Sequence, residues 1–86
     1  MPEISRFYGI IIYIYYREHG PSHFHAVYSG HEAVISIETL SVISGSLPPR
    51  ALNLAREWAK IHKAELMDNW EKAVNHEKLD KIEPLK

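Results

Sequence analysis

Apolar and polar positions alternate over the first half of the chain and then switch to a three- and four-residue step, which predicts a sheet followed by a helix. Ile4 to Tyr8 reads as a short first strand, with Gly9 marking a turn. Ile10 to Arg17 is dense in β-branched and aromatic residues and reads as a second strand. Glu18 to Ser22 contains a Gly-Pro pair and is a loop. His23 to Tyr28 and His31 to Glu38 form strands three and four, joined by Ser29-Gly30, a two-residue connection suited to a primed turn. A fifth short strand is expected at Val42 to Ser44.

From Ser46 the period changes. Ser46 is a candidate helix cap, and Pro48 and Pro49 suit a first helical turn, where a missing N–H costs nothing. Leu52, Ala55, Trp58, Ala59, His62, Leu66, Trp70 and Ala73 then mark one apolar stripe. An unbroken helix to about His76 would be a rod of roughly 40 Å. That is long for this chain, so a kink or break near His62 to Ala64 is the alternative. Leu79, Ile82 and Leu85 are placed to anchor a tail. The expected fold is α+β: an antiparallel sheet of four to five strands, followed by a C-terminal helix, kinked or split, on one face. The expected organisation is one domain over residues 1–86, with the sheet in 1–45, the helical segment in 46–76 and the tail in 77–86.

Alternation also sorts the side chains by face. With Ser29-Gly30 as the turn, Tyr28 pairs with His31, Ala26 with Ala33 and Phe24 with Ile35. Val27, His25 and His23 then lie across from Glu32, Val34 and Ser36. Matching apolar with apolar on the second strand sets Tyr15 against His25 and Arg17 against His23. One face collects Ile12, Ile14, Tyr16, Phe24, Ala26, Ala33, Ile35 and Ile37, which the helix must cover. Tyr13, Tyr15, Arg17, His23, His25, Glu32, Ser36 and Glu38 share the other, left to water or to a partner.

Composition narrows the classes. Eighty-six residues at 45% apolar and 24% charged make an ordinary small globular sequence, with a modest core. The formal net charge is −1, far from the basic surface of a protein whose affinity comes from phosphates. There is no cysteine, which excludes disulfides and thiolate metal sites and fits a reducing cytoplasm. The longest apolar run, Ile10 to Tyr16, is too short to cross a bilayer, so the expected localisation is cytoplasmic, away from membranes.

Candidate chemistry gathers where three of the six histidines, His19, His23 and His25, fall within seven residues. Two imidazoles on one strand face sit roughly 6–7 Å apart at Cα. One could take a proton from a ribose hydroxyl while the other, protonated, donates a proton to the leaving oxygen, without a metal. In that reading His23, His25, Arg17 and Tyr15 form the catalytic cluster. Tyr13, His19, Glu32 and Ser36 would contribute binding, and Tyr13 or Tyr15 could stack on a base. A metal reading would need Glu32 or His19 as a third ligand, and no cofactor is expected. The bland reading makes the same residues a polar, partner-facing surface. Arg50 stands in the first helical turn, against the helix dipole, which points to an anion or a carboxylate partner.

Four motifs in order, Met1-Pro2-Glu3-Ile4-Ser5-Arg6-Phe7-Tyr8-Gly9-Ile10, Pro21-Ser22-His23-Phe24-His25-Ala26, Gly45-Ser46-Leu47-Pro48-Pro49-Arg50-Ala51-Leu52, and Asn69-Trp70-Glu71 with Lys81-Ile82-Glu83-Pro84-Leu85, resemble the bacterial domain of unknown function 4160. The family often has a second proline where this chain has Ser22. The resemblance implies a small bacterial protein whose partner is a small protein encoded by a neighbouring gene, in a pair of toxin-antitoxin type. It assigns no catalytic residue. Two functions follow as expectations: a toxin-like member acting on RNA or a translation component, or a non-enzymatic, antitoxin-like interaction module using the same face. A homodimer is the remaining partner expectation.

Overall fold

The computed structural model describes residues 3–16 and 20–86. Five strands, β1 (Glu3–Phe7), β2 (Ile10–Tyr13), β3 (His23–Tyr28), β4 (His31–Ser36) and β5 (Val42–Gly45), form one antiparallel sheet in the order β1-β2-β3-β4-β5. Two helices follow, α1 (Pro49–Ile61) and α2 (Lys63–Val74). The α+β reading holds, with the split form of the helix. No helix among the described residues is long and apolar enough to cross a membrane.

Both tight hairpin connections have left-handed backbone at their two central residues. Tyr8 and Gly9 have φ of 49° and 80°, and Ser29 and Gly30 have 45° and 83°. That is the primed geometry whose twist matches the flanking strands. The β3–β4 register is the one expected, from His23↔Ser36 to Tyr28↔His31.

The β2–β3 register differs by two residues. Tyr13 pairs with His25, Ile12 with Ala26 and Ile11 with Val27. A slip of two keeps every side chain on its face, and the connection between these strands is too long for turn geometry to pin the pairing. β2 also ends at Tyr13 and β4 at Ser36, earlier than the apolar runs suggest. At Ser36 the cause is local: its hydroxyl accepts the Thr39 N–H at 3.1 Å, and its carbonyl accepts the Leu40 N–H at 2.9 Å, which turns the chain.

Ser46 does not cap the helix. Its N–H bonds the Glu32 carbonyl at 3.1 Å and so stays tied to β4, while Pro48 precedes α1 with no side-chain cap. The helical stripe bends at His62, where φ is −109° and ψ 27°. An unbroken rod of roughly 40 Å would overrun a molecule whose longest dimension is 33 Å.

Trp58 is the centre of the core. It is fully buried, with its ring 5.3 Å from Phe7 and 6.0 Å from Phe24. Around it lie Ile4, Ile10, Ile12, Ile14, Ile35 and Ile37 from the inner side of the sheet and Ala55, Ala59 and Leu66 from the helices. Tyr16, expected in this inner row, is instead 38% exposed; its ring lies parallel to that of His76 and its hydroxyl donates to the Glu77 carbonyl.

The tail closes over the open edge of β1. Ile82 is buried and its N–H bonds the Ile4 carbonyl at 2.8 Å, and Trp58 donates its indole N–H to the Glu83 carbonyl at 2.8 Å. Asn69, also buried, bonds both the N–H and the carbonyl of Asp80 at 2.9 Å. The Lys72 ammonium, bonded to the Asp80 carboxylate, is held charged above the ordinary lysine range by that hydrogen bond.

Candidate functional site

β3 projects His23 and His25 to the side away from Phe24, because successive strand residues alternate. Their rings are 5.4 Å apart, centre to centre. Neither is open to water as the alternation alone suggests: His23 is 8% exposed and His25 9%. The reason is tertiary. α1 supplies Trp58 to the Phe24 side, whereas α2, redirected at His62, sets Trp70 4.8 Å from the His23 ring. On the other flank Tyr15 meets His25 edge-on at 4.4 Å and lies parallel to Tyr13 at 5.9 Å. Tyr13, Tyr15, His25, His23 and Trp70 therefore form one continuous row of rings.

Each imidazole is oriented through Nδ1. That of His23 lies 2.8 Å from the Pro21 carbonyl, and that of His25 lies 2.8 Å from a Glu32 carboxylate oxygen. A carbonyl oxygen and an ionised carboxylate only accept, so in the neutral rings Nδ1 carries the proton and Nε2 the lone pair. Glu32 reaches His25 diagonally, since its own register partner is Val27. A carboxylate behind an imidazole fixes its tautomer and orientation, the arrangement expected of a general base.

The other expected site residues distribute as follows. Tyr13 is the register partner of His25, the place expected for Tyr15, and Tyr15 reaches the same imidazole through its ring. Ser36 lies opposite His23 but gives its hydroxyl to the turn at Thr39. Arg17 and His19 lie outside the described residues. The metal reading drew its third ligand from Glu32 or His19; among the described residues no group of three His, Asp or Glu side chains is placed to hold a metal ion. Arg50 is far from the histidines, in the first turn of α1.

Around the histidines the outer face is more apolar than its titratable residues suggest. Ile11, Tyr13, Tyr15, Val27 and Val34 are all half-buried there, with Glu32 exposed beside them. Arg6, the register partner of Ile11, bonds Glu3 at 2.9 and 3.2 Å. The Arg6 hydrogen bond holds the Glu3 carboxyl below its ordinary range, and the same bond raises the guanidinium. The result is an aliphatic and aromatic patch with a charged rim. Ile11 and Val27 were legible on this face from alternation, because they share rows with Tyr13 and His25. Trp70 was not, because nothing in the helical period says that α2 turns toward His23.

The family model described as Domain of unknown function (DUF4160) matches residues 9–71, well over half of the chain. No curated protein and no solved structure matches. The matched span runs from the first hairpin turn to α2 and includes the histidine strand, and the chain belongs to this family of unknown function.

Proposed function

We propose that the protein is a non-enzymatic interaction module, the regulatory or neutralising member of a two-protein pair, and that it binds its partner through the outer face of the sheet. The supporting observation is the makeup of that face: Ile11, Tyr13, Tyr15, Val27 and Val34 half-buried at the centre, with Glu3, Arg6 and Glu32 at the margin. Aromatic and aliphatic centres with charged rims are how protein interfaces are built. The net charge of −1 gives RNA phosphates little to bind. The histidines then act as oriented, mostly buried supports of the patch rather than as reagents.

Val27 and Val34 point outward and contribute little to the core, so Val27→Lys and Val34→Lys should leave the far-ultraviolet circular dichroism unchanged. Each should weaken capture of the neighbouring gene's product about 30-fold, the size of a central interface residue. Equal capture by wild type and both variants would refute the proposal.

A second reading is favoured by the His25–Glu32 bond with His23 5.4 Å away. On it the chain is a toxin-like acid-base catalyst acting on RNA or a translation component. Growth separates the two. An interaction module is harmless when induced alone. A catalyst arrests growth, and the His23→Asn/His25→Asn variant, which keeps a side-chain donor at each position, does not. Arrest by wild type that this variant abolishes would replace the first reading with the second.

A further inference from the structure

The opposite end of the sheet carries a second feature. The Tyr8-Gly9 turn, the end of β3 at Tyr28 and the first turns of α1 enclose a cleft of about 270 Å³. Its walls are apolar, from Ile10, Ala51 and Leu54, and three polar side chains converge on it, Tyr8, Tyr28 and Arg50. Tyr28 is five residues along β3 from His23, roughly 16 Å at the rise of an extended strand, so this cleft is separate from the outer face.

We propose that the cleft binds a small aromatic carboxylate, with the Arg50 guanidinium on the carboxylate and the Tyr8 and Tyr28 rings against the aromatic body. Arg50 is exposed and makes no hydrogen bond or ion pair with a described residue, in contrast to Arg6, which is held by Glu3. It stands in a helical turn that contains no acidic residue, where the helix dipole opposes a cation. A bound carboxylate supplies the missing counter-charge, and the planar guanidinium matches it two bonds at a time.

The tyrosines carry the second half of the inference. Tyr8 is 57% exposed and has φ of 49°, a conformation that Asn, Asp or Gly adopts at less cost. Neither burial nor the turn therefore accounts for a tyrosine at this position. The Tyr28 ring is braced against the same turn, since a side-chain carbon added to Gly9 would lie 3.4 Å from it. Two aromatic rings and apolar walls suit a flat hydrocarbon body, with the phenol hydroxyls as further donors. The volume lies below the ~300 Å³ at which pockets for drug-sized ligands begin, so one ring system with one carboxylate is the right scale. A phosphate dianion would find one guanidinium and little else to neutralise it.

The test is an NMR titration of the full chain with indole-3-acetate and phenylacetate, using phenylacetamide as the uncharged control. The carboxylates should give saturable shifts confined to residues 8–10, 28 and 49–54, and the amide should bind at least about tenfold more weakly. Arg50→Gln should lose about tenfold or more in affinity for the carboxylates, and Arg50→Lys, which keeps the charge but not the fork, should fall between. Tyr8→Asn should keep or raise the melting temperature while weakening binding, which separates a ligand contact from a structural one. The proposal is overturned by absence of saturation in the millimolar range, by shifts mapping elsewhere, or by equal binding of acid and amide. Undiminished binding by Arg50→Gln overturns it as well.

Discussion

Trp58→Ala is expected to lose about 3–5 kcal/mol of stability, a large part of the ~5–15 kcal/mol available to a small domain. The indole is fully buried, and it is the point where three parts of the molecule meet. Its ring faces Phe7 of β1 and Phe24 of β3, it lies 5.6 Å from His62 at the helical bend, and its N–H holds the Glu83 carbonyl of the tail. Alanine leaves a cavity against two strands and releases the tail together. Trp58→Phe refills most of the cavity but has no N–H to donate, so it should lose less while still loosening the tail. Urea unfolding measures the first effect, and amide exchange at Ile82, whose N–H bonds Ile4, measures the second. A loss below about 1.5 kcal/mol for the alanine variant would mean that the sheet and helices are held together elsewhere.

Gly45→Ala should cost about 2–4 kcal/mol, from backbone strain and overpacking together. Gly45 closes β5 with φ of 75°, and a methyl group there would stand 2.1 Å from the Glu32 carbonyl oxygen. That oxygen belongs to the neighbouring strand and also accepts the Ser46 N–H, so it cannot yield without breaking the ladder. Since every residue of β5 is exposed, the variant should release this edge strand rather than unfold the whole domain. Accelerated amide exchange over residues 42–46, with β1–β4 and α1 still protected, is the expected signature. Gly30→Ala is the control. It has similar φ but nothing within 4 Å of the added carbon, and should cost only about 1 kcal/mol. Equal losses in the two variants would show that strain alone decides, with no part played by the contact at Glu32.

Legibility followed the range of the interactions. The β3–β4 pairing was readable because Ser29-Gly30 is a two-residue turn that specifies both its geometry and the register of what it joins. The β2–β3 pairing was readable only to within an even number of residues: polarity alternates with period two and cannot distinguish Tyr13 from Tyr15 opposite His25. Strand ends were missed where side chains intervened, as at Ser36, whose hydroxyl bond to Thr39 competes with continued extension. At the start of α1 the tie is a backbone one, since the Ser46 N–H bonds the Glu32 carbonyl and keeps that residue beside β4.

The site divides along the same line. The sequence by itself determined that His23 and His25 share a side of β3, that Glu32 stands within diagonal reach, and that the inner row of isoleucines needs a helical cover, because these depend on backbone periodicity and on the register set by one two-residue turn. Only the tertiary structure decided that the two imidazoles themselves are buried while the rest of their face stays partly open, because that depends on the direction α2 takes after His62 and on Trp70 arriving beside His23. It also decided that Arg50 lines one cleft with Tyr8 and Tyr28. Those residues are brought together by the packing of α1 on two hairpin ends, a juxtaposition across some forty residues of chain that no local pattern encodes.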